Sequence, residues 1–294
     1  MVALDHDSAA RACLAFGRLA EAVRRSSLGR LWLHHETARV VAELFSRGAQ
    51  PMSPDDLLAL TANITDGLPN LEEAAARRFW LDALNLWTEG EHANAETRSF
   101  TEAVTMLRDL RLGGIAPGEL SMQVPVLLAP LADAVLPSVS LALPSEEEDV
   151  TAVFPRRLAA ACEAGHARLV ALERDFARWR SLLPDARSDS RLEDSLVLLG
   201  TVHALTPRYV GDSLGLTRQA SARLLRRLAD LGIVRKATKR KRWLIYLASN
   251  AVSTPRIPES TIKEPASSID TARVDHVLEE AYAALDRATR HDAI

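Results

Sequence analysis

Residues 206–248 limit the possible folds of this chain more than any other stretch. Thr206, followed by a proline, and Thr217 are both residues that favour the start of a helix. Gly215 and Gly232 can adopt the positive φ angle at which helices commonly end. The spacing therefore predicts a short helix, a tight turn and a second helix that ends before Gly232.

The second helix, predicted over residues 217–231, has two chemically different faces. Its apolar face is predicted to carry Ala220, Leu224, Leu228 and Leu231 towards the core. Its polar face carries Gln219, Ala222, Arg223 and Arg226, with Arg218 beside them and Arg227 at the border. One face is thus suited to packing and the other to binding.

A β-hairpin is predicted directly after this helix. Residues 233–235 and 243–247 are rich in β-branched and aromatic side chains and contain no glycine or proline. Five of the seven residues between them are basic. The pattern therefore indicates two short strands joined by a positively charged loop.

Charge is distributed unevenly along the chain. Residues 217–247 hold ten Lys or Arg and one acid, Asp230, for a net charge of +9. Because the whole chain carries −3, the remaining residues sum to −12. A local excess of this size on one helix and one loop is typical of a surface that binds phosphates.

The segment over residues 190–248 resembles the winged helix-turn-helix of bacterial regulators. The resemblance lies in residues 205–217, which hold the first helix and the turn, and in residues 224–234, which run Leu-Leu-Arg-Arg-Leu-Ala-Asp-Leu-Gly-Ile-Val. It is similar to the domain that often ends Fic-type proteins and to the MarR and GntR regulators. The resemblance implies recognition-helix roles for Thr217, Arg218, Gln219, Ala222, Arg223 and Arg226. The Fic catalytic signature is absent, so no AMP transfer is implied.

These observations predict two sets of residues in contact with double-stranded DNA. Exposed side chains of the recognition helix are expected in the major groove, and basic side chains of the hairpin loop, the wing, on phosphates. The predicted set is Thr217, Arg218, Gln219, Ala222, Arg223, Arg226 and Arg227 on the helix and Lys236, Lys239, Arg240, Lys241 and Arg242 on the wing.

The rest of the chain is predicted to be mainly α-helical. Helices are expected over residues 8–25, 28–46, 53–63, 71–88, 97–112, 155–183 and 271–290. The predicted domains are a helical N-terminal domain (1–145), an acidic turn and connecting helix (146–188), the winged helix-turn-helix (189–249), a linker (250–270) and a C-terminal helix (271–294). That last helix either forms a dimer seam or docks on its own domain.

Composition and motifs bound the remaining possibilities. Only Cys13 and Cys162 are present, which allows no disulfide framework and favours a reducing compartment, the cytoplasm. No secretion leader and no uncharged apolar run long enough for a membrane span are seen. His34-His35-Glu36 lacks the spacing of a zinc helix, and no phosphate loop or nucleophile motif occurs. We therefore predict no metal, no cofactor and no enzymatic activity.

The first hypothesis is a bacterial transcriptional regulator that binds a specific DNA sequence, with no effector indicated. A homodimer is expected, because one recognition helix buries too little surface for useful specificity. The second hypothesis is a protein-interaction module whose basic face meets an acidic partner. The third is a catalytically degenerate, Fic-like helical protein, which would need a pocket with convergent polar groups.

Overall fold

The structure of the chain is a computed structural model. It describes residues 5–46, 78, 82–83, 86–87, 99–145, 147–183, 190–202, 204–236 and 246–248. This part of the chain is mainly α-helical, as predicted. The predicted helices 53–63 and 271–290, the linker 250–270 and most of helix 71–88 lie outside the described residues.

The elements that the structure describes before residue 182 are all helical. They are α1 (His6–Arg25), α2 (Gly29–Ser46), α3 (Phe100–Leu112), α4 (Pro117–Leu128), two 3-10 segments (Ala129–Leu131 and Pro137–Ala142) and α5 (Val150–Ser181). Helices α1, α2 and α3 confirm the predicted helices 8–25, 28–46 and 97–112. The predicted start of α5 at Pro155 is wrong, because Asp149 accepts a hydrogen bond from the Thr151 backbone amide at 2.8 Å and supports an earlier start.

The remaining elements combine helices with a small sheet. They are α6 (Ser190–Val202), β1 (Ala204–Leu205), α7 (Pro207–Leu214), α8 (Arg218–Asp230), β2 (Val234–Lys236) and β3 (Tyr246–Ala248). The chain divides into two compact units, and the division falls within α5 between residues 170 and 171. In the described part of the chain, none of the helices has both the length and the apolar character that crossing a bilayer requires.

The first unit has a densely packed apolar core. Among its completely buried side chains are Leu19, Trp32 and Phe154. Gly165 of α5 allows the close approach of its neighbours, since a Cβ atom there would lie 2.8 Å from Ser138 Oγ and 3.0 Å from Leu19 Cδ2. A side chain at this position would therefore require Ser138 or Leu19 to shift.

A buried carboxylate lies beside this core. Glu36 of α2 is 3 % exposed. Arg168 of α5 donates to it through Nε at 2.8 Å and Nη2 at 2.5 Å, Arg39 donates through Nε at 3.0 Å, and the Ser138 hydroxyl donates at 2.8 Å. Burial acts to raise the pKa of Glu36, but the hydrogen bonds and charges of Arg168 and Arg39 outweigh it and lower the pKa. The carboxylate is therefore held ionised inside the unit.

The second unit contains a three-stranded antiparallel sheet in the order β1-β3-β2. Leu205 of β1 lies opposite Tyr246 of β3, and Arg235 of β2 lies opposite Leu247. The sequence predicted the hairpin of β2 and β3 but not β1, whose two residues follow α6 almost directly. Helices α6, α7 and α8 contact one another, and their buried residues include Leu199, Val210 and Leu225.

Candidate nucleic-acid interface

The helix pair α7 and α8 is capped as the sequence predicted. Thr206 Oγ1 accepts a hydrogen bond from the Tyr209 amide at 3.1 Å, which caps α7. Thr217 Oγ1 accepts one from the Ala220 amide at 3.2 Å, which caps α8. Between the helices, Gly215 takes a left-handed conformation with φ 62°. The turn between the two helices is thus specified by local side-chain chemistry.

A second glycine, which sequence reasoning did not single out, sets the approach of α8 to α7. A Cβ atom on Gly211 would lie 2.9 Å from the Leu216 carbonyl oxygen and 3.3 Å from Ser221 Oγ. The Ser221 hydroxyl is buried at this contact and donates to the Thr217 carbonyl at 3.1 Å. The backbone cannot yield as a flexible side chain would, so only glycine fits without rearrangement.

We expect Gly211→Ala to destabilise the protein by about 1–3 kcal/mol, because the added methyl group overlaps a backbone carbonyl. Gly17→Ala in α1 is the matched control, since a Cβ atom there has no neighbour within 4 Å. That control should gain about 0.5–1 kcal/mol from helix propensity. Urea unfolding followed by far-UV circular dichroism compares the two variants. Equal stability of both would contradict this packing.

The inward face of α8 is rotated relative to the prediction. Its buried residues are Ser221, Leu225 and Leu228. Leu224, predicted to face the core, is only half-buried, as are Ala220 and Leu231. The difference arises because Ser221 fits against Gly211, so the helix turns towards its serine rather than towards the evenly spaced leucines. Only Leu228 belongs to both the predicted and the observed buried sets.

The outward face of α8 holds most of the predicted DNA-contacting residues. Thr217, Arg218, Gln219, Arg223, Arg226 and Arg227 are exposed, and Ala222 is half-buried. In the part of the chain that the structure describes, no acidic side chain pairs with Arg218, Arg223 or Arg226. The acid Asp230 lies at the C-terminal end of the same helix and is also exposed.

The end of α8 leads directly into the hairpin. Gly232 has φ 72°, its amide donates to the Ala229 carbonyl at 2.9 Å, and the Ile233 amide donates to the Leu228 carbonyl at 3.0 Å. These two hydrogen bonds end the helix and direct the chain into β2. On β2, Arg235 and Lys236 are exposed. The predicted wing contacts Lys239, Arg240, Lys241 and Arg242 lie outside the described residues.

The first helix of the pair adds little net charge to this surface. Arg208 and Asp212 lie one turn apart on α7, with Arg208 Nε 3.6 Å from Asp212 Oδ2, and both are largely exposed. Their opposite charges offset each other. The positive charge of the described surface therefore comes from α8 and β2.

The structure also shows the environments of Glu36 and Cys162, two residues considered in the sequence. Glu36 of the His34-His35-Glu36 run is engaged by arginines, and the described residues contain no cluster of three His, Cys, Asp or Glu that could hold a metal ion. Cys162 is buried, and burial raises the pKa of its thiol to about 12. The thiol therefore stays protonated at neutral pH, the form that is a poor nucleophile.

Comparison with protein-family models finds no match to this chain, and the search of curated proteins finds no significant relative.

Proposed function

We propose that residues 190–248 form a winged helix-turn-helix that binds double-stranded DNA, with α8 as the recognition helix. The order α6-β1-α7-α8-β2-β3 and the antiparallel β1-β3-β2 sheet support this fold. Such a domain places the second helix of its helix-turn-helix pair, here α8, in the major groove and its hairpin on the DNA backbone. The resemblance to bacterial regulators supports a role in transcription.

The observation that carries the proposal is the set of unpaired guanidinium groups on α8. Arg218, Arg223 and Arg226 are exposed and take no acidic partner among the described residues. Elsewhere in the chain, Arg168 and Arg39 are engaged by Glu36. Cations without a counter-acid on one helix face are available to a polyanion, and each contact releases condensed counterions from DNA.

The charge gradient along α8 indicates which half of the helix meets the duplex. The N-terminal end carries Arg218 and the positive end of the helix dipole, both of which attract phosphates. The exposed carboxylate of Asp230 at the other end repels them. We therefore place the N-terminal end of α8 deeper in the groove than the end that carries Asp230, with Gln219, Arg223 and Arg226 towards the base edges.

A binding-site selection followed by gel shifts on the full chain tests the proposal. We expect a selected duplex to bind with an affinity that falls steeply as salt rises from about 50 to about 200 mM. A homodimer predicts two half-sites about 10 base pairs apart, centre to centre. Absence of any shift at about 50 mM salt contradicts DNA binding and favours an acidic protein partner for the same surface.

Lysines that contact phosphates should contribute to DNA binding differently from side chains that contact bases. We expect Lys236→Ala, and likewise Lys239→Ala, to weaken binding to every duplex by a similar factor. Each lost phosphate contact should reduce the slope of log affinity against log salt by about 0.9. Titrations of selected and random duplexes at four salt concentrations measure both quantities. A loss confined to the selected duplex would assign these lysines to base reading instead.

A further inference from the structure

We infer that the cleft between α1 and α5 in the first unit binds a small organic carboxylate with an apolar chain. Each helix contributes six residues to the lining, and the cleft volume is about 590 Å³. Sites for small molecules in proteins typically have volumes of about 300–1,000 Å³. The inference is independent of the proposed DNA binding, because it concerns other elements and a different ligand.

The middle of the cleft is apolar. On the α5 side, Ala159 and Ala160 are small, so they leave space between the helices. On the α1 side, Leu14 lines the cleft and is 54 % exposed, whereas Leu19 is fully buried. Exposed leucine surface beside a cleft is stabilised when an apolar ligand covers it.

Guanidinium groups stand around this apolar surface. Arg11 and Arg18 of α1 and Arg156 of α5 line the cleft and are exposed. Within the ranges that the structure describes, none of the three forms a salt bridge, and Arg11 interacts electrostatically with Asp5 at the N-terminal cap of α1. The acid among the lining residues is Glu163, so these four side chains sum to a charge of +2. An anion is the ligand that this balance favours.

The spacing on α1 indicates an elongated ligand. Arg11 and Arg18 are seven residues apart, which places them on one face with about 10 Å of helix between them. Leu14 and Ala15 occupy the interval. Arginine binds carboxylates through two parallel hydrogen bonds, and the interval accommodates a hydrocarbon chain. An inorganic anion such as phosphate would leave the apolar part of the cleft unused.

Isothermal titration of the full chain with five probes tests this ligand class. The probes are octanoate, suberate, octanol, octylamine and inorganic phosphate. We expect saturable one-to-one binding of octanoate or suberate, at least about tenfold weaker binding of octanol, and no binding of octylamine or phosphate. Equal affinity for octanol and octanoate overturns the inference, as does binding of neither carboxylate.

Variants then locate the binding in the cleft. Arg11→Gln and Arg156→Gln should each weaken carboxylate binding about tenfold or more. Arg174→Gln, an exposed arginine of α5 outside the lining, is the matched control and should leave the affinity unchanged. Ala160→Trp fills the cleft without changing charge and should abolish binding, with far-UV circular dichroism checking the fold. Retained binding in Ala160→Trp, or in both arginine variants, overturns the assignment.

Discussion

Arg223→Ala and Arg226→Ala should each reduce the affinity for the selected duplex by about 1–3 kcal/mol, a factor of about five to 150. Both side chains project from the outward face of α8, without an acidic partner in the described part of the chain. An arginine that bonds two acceptors of a guanine distinguishes that base from the others. We therefore expect the loss on random duplex to be much smaller than the loss on the selected one.

The control for this experiment is Arg174→Ala, which removes one exposed positive charge from α5. It separates a specific contact from the general effect of lowering the net charge of the chain. Fluorescence anisotropy at fixed salt, with selected and random duplexes, measures all three variants. If Arg223→Ala and Arg226→Ala weaken both duplexes equally, these arginines bind phosphates and do not read bases.

The helix ends of the second unit could be predicted because their causes are local. Thr206, Gly215, Thr217 and Gly232 each act on backbone groups within five residues of themselves. Composition and spacing therefore located both helices of the pair to within a residue or two. The exposure of Arg218, Arg223 and Arg226 was predicted as well, although the face of α8 that packs inside differs from the predicted one.

Features that depend on distant partners could not be predicted. Strand β1 has two residues, and it exists because Ala204 lies opposite Leu247, more than forty positions away. The buried face of α8 was misjudged for a related reason, since the position of Gly211 on the neighbouring helix selects Ser221 for burial. The spacing of apolar residues along one helix does not show which residues of a neighbouring helix it packs against.

The candidate cleft and the buried carboxylate could not be predicted from the sequence for the same reason. Residues 11 and 156 line one cleft, and residues 36 and 168 form an ion pair, only in the folded chain, and each alone is an ordinary charged helix residue. In the sequence, Glu36 was considered only as part of the His34-His35-Glu36 run, whose spacing does not fit a zinc helix. Of its two arginine partners, Arg39 lies three residues further along the same helix, a spacing at which ion pairs are expected. Arg168 lies on α5, 132 positions away, and no spacing rule points to it.

Removing Arg168 should destabilise the protein more than any surface change. Arg168→Met leaves Glu36 buried with Arg39 and Ser138 as its remaining partners. The carboxylate of this ion pair is buried whereas Arg168 is 36 % exposed, so with these partners retained we expect a loss of about 2–3 kcal/mol, below that of a fully buried pair. Arg25→Met is the control, because its ion pair with Glu21 is exposed and should contribute at most about 1 kcal/mol.

The pH dependence of that loss identifies its cause. The lowered pKa of Glu36 means that this carboxylate stabilises the fold above its ordinary pKa of 4.5, and the contribution disappears as pH falls through the folded-state pKa. Without Arg168 that pKa rises, because burial is then opposed by fewer positive charges. The stability difference between the original chain and Arg168→Met should thus be largest near neutral pH and shrink in acid. Urea unfolding of both proteins at several pH values measures this difference. If it stays constant down to acid pH, the destabilisation comes from lost packing rather than from lost charge pairing.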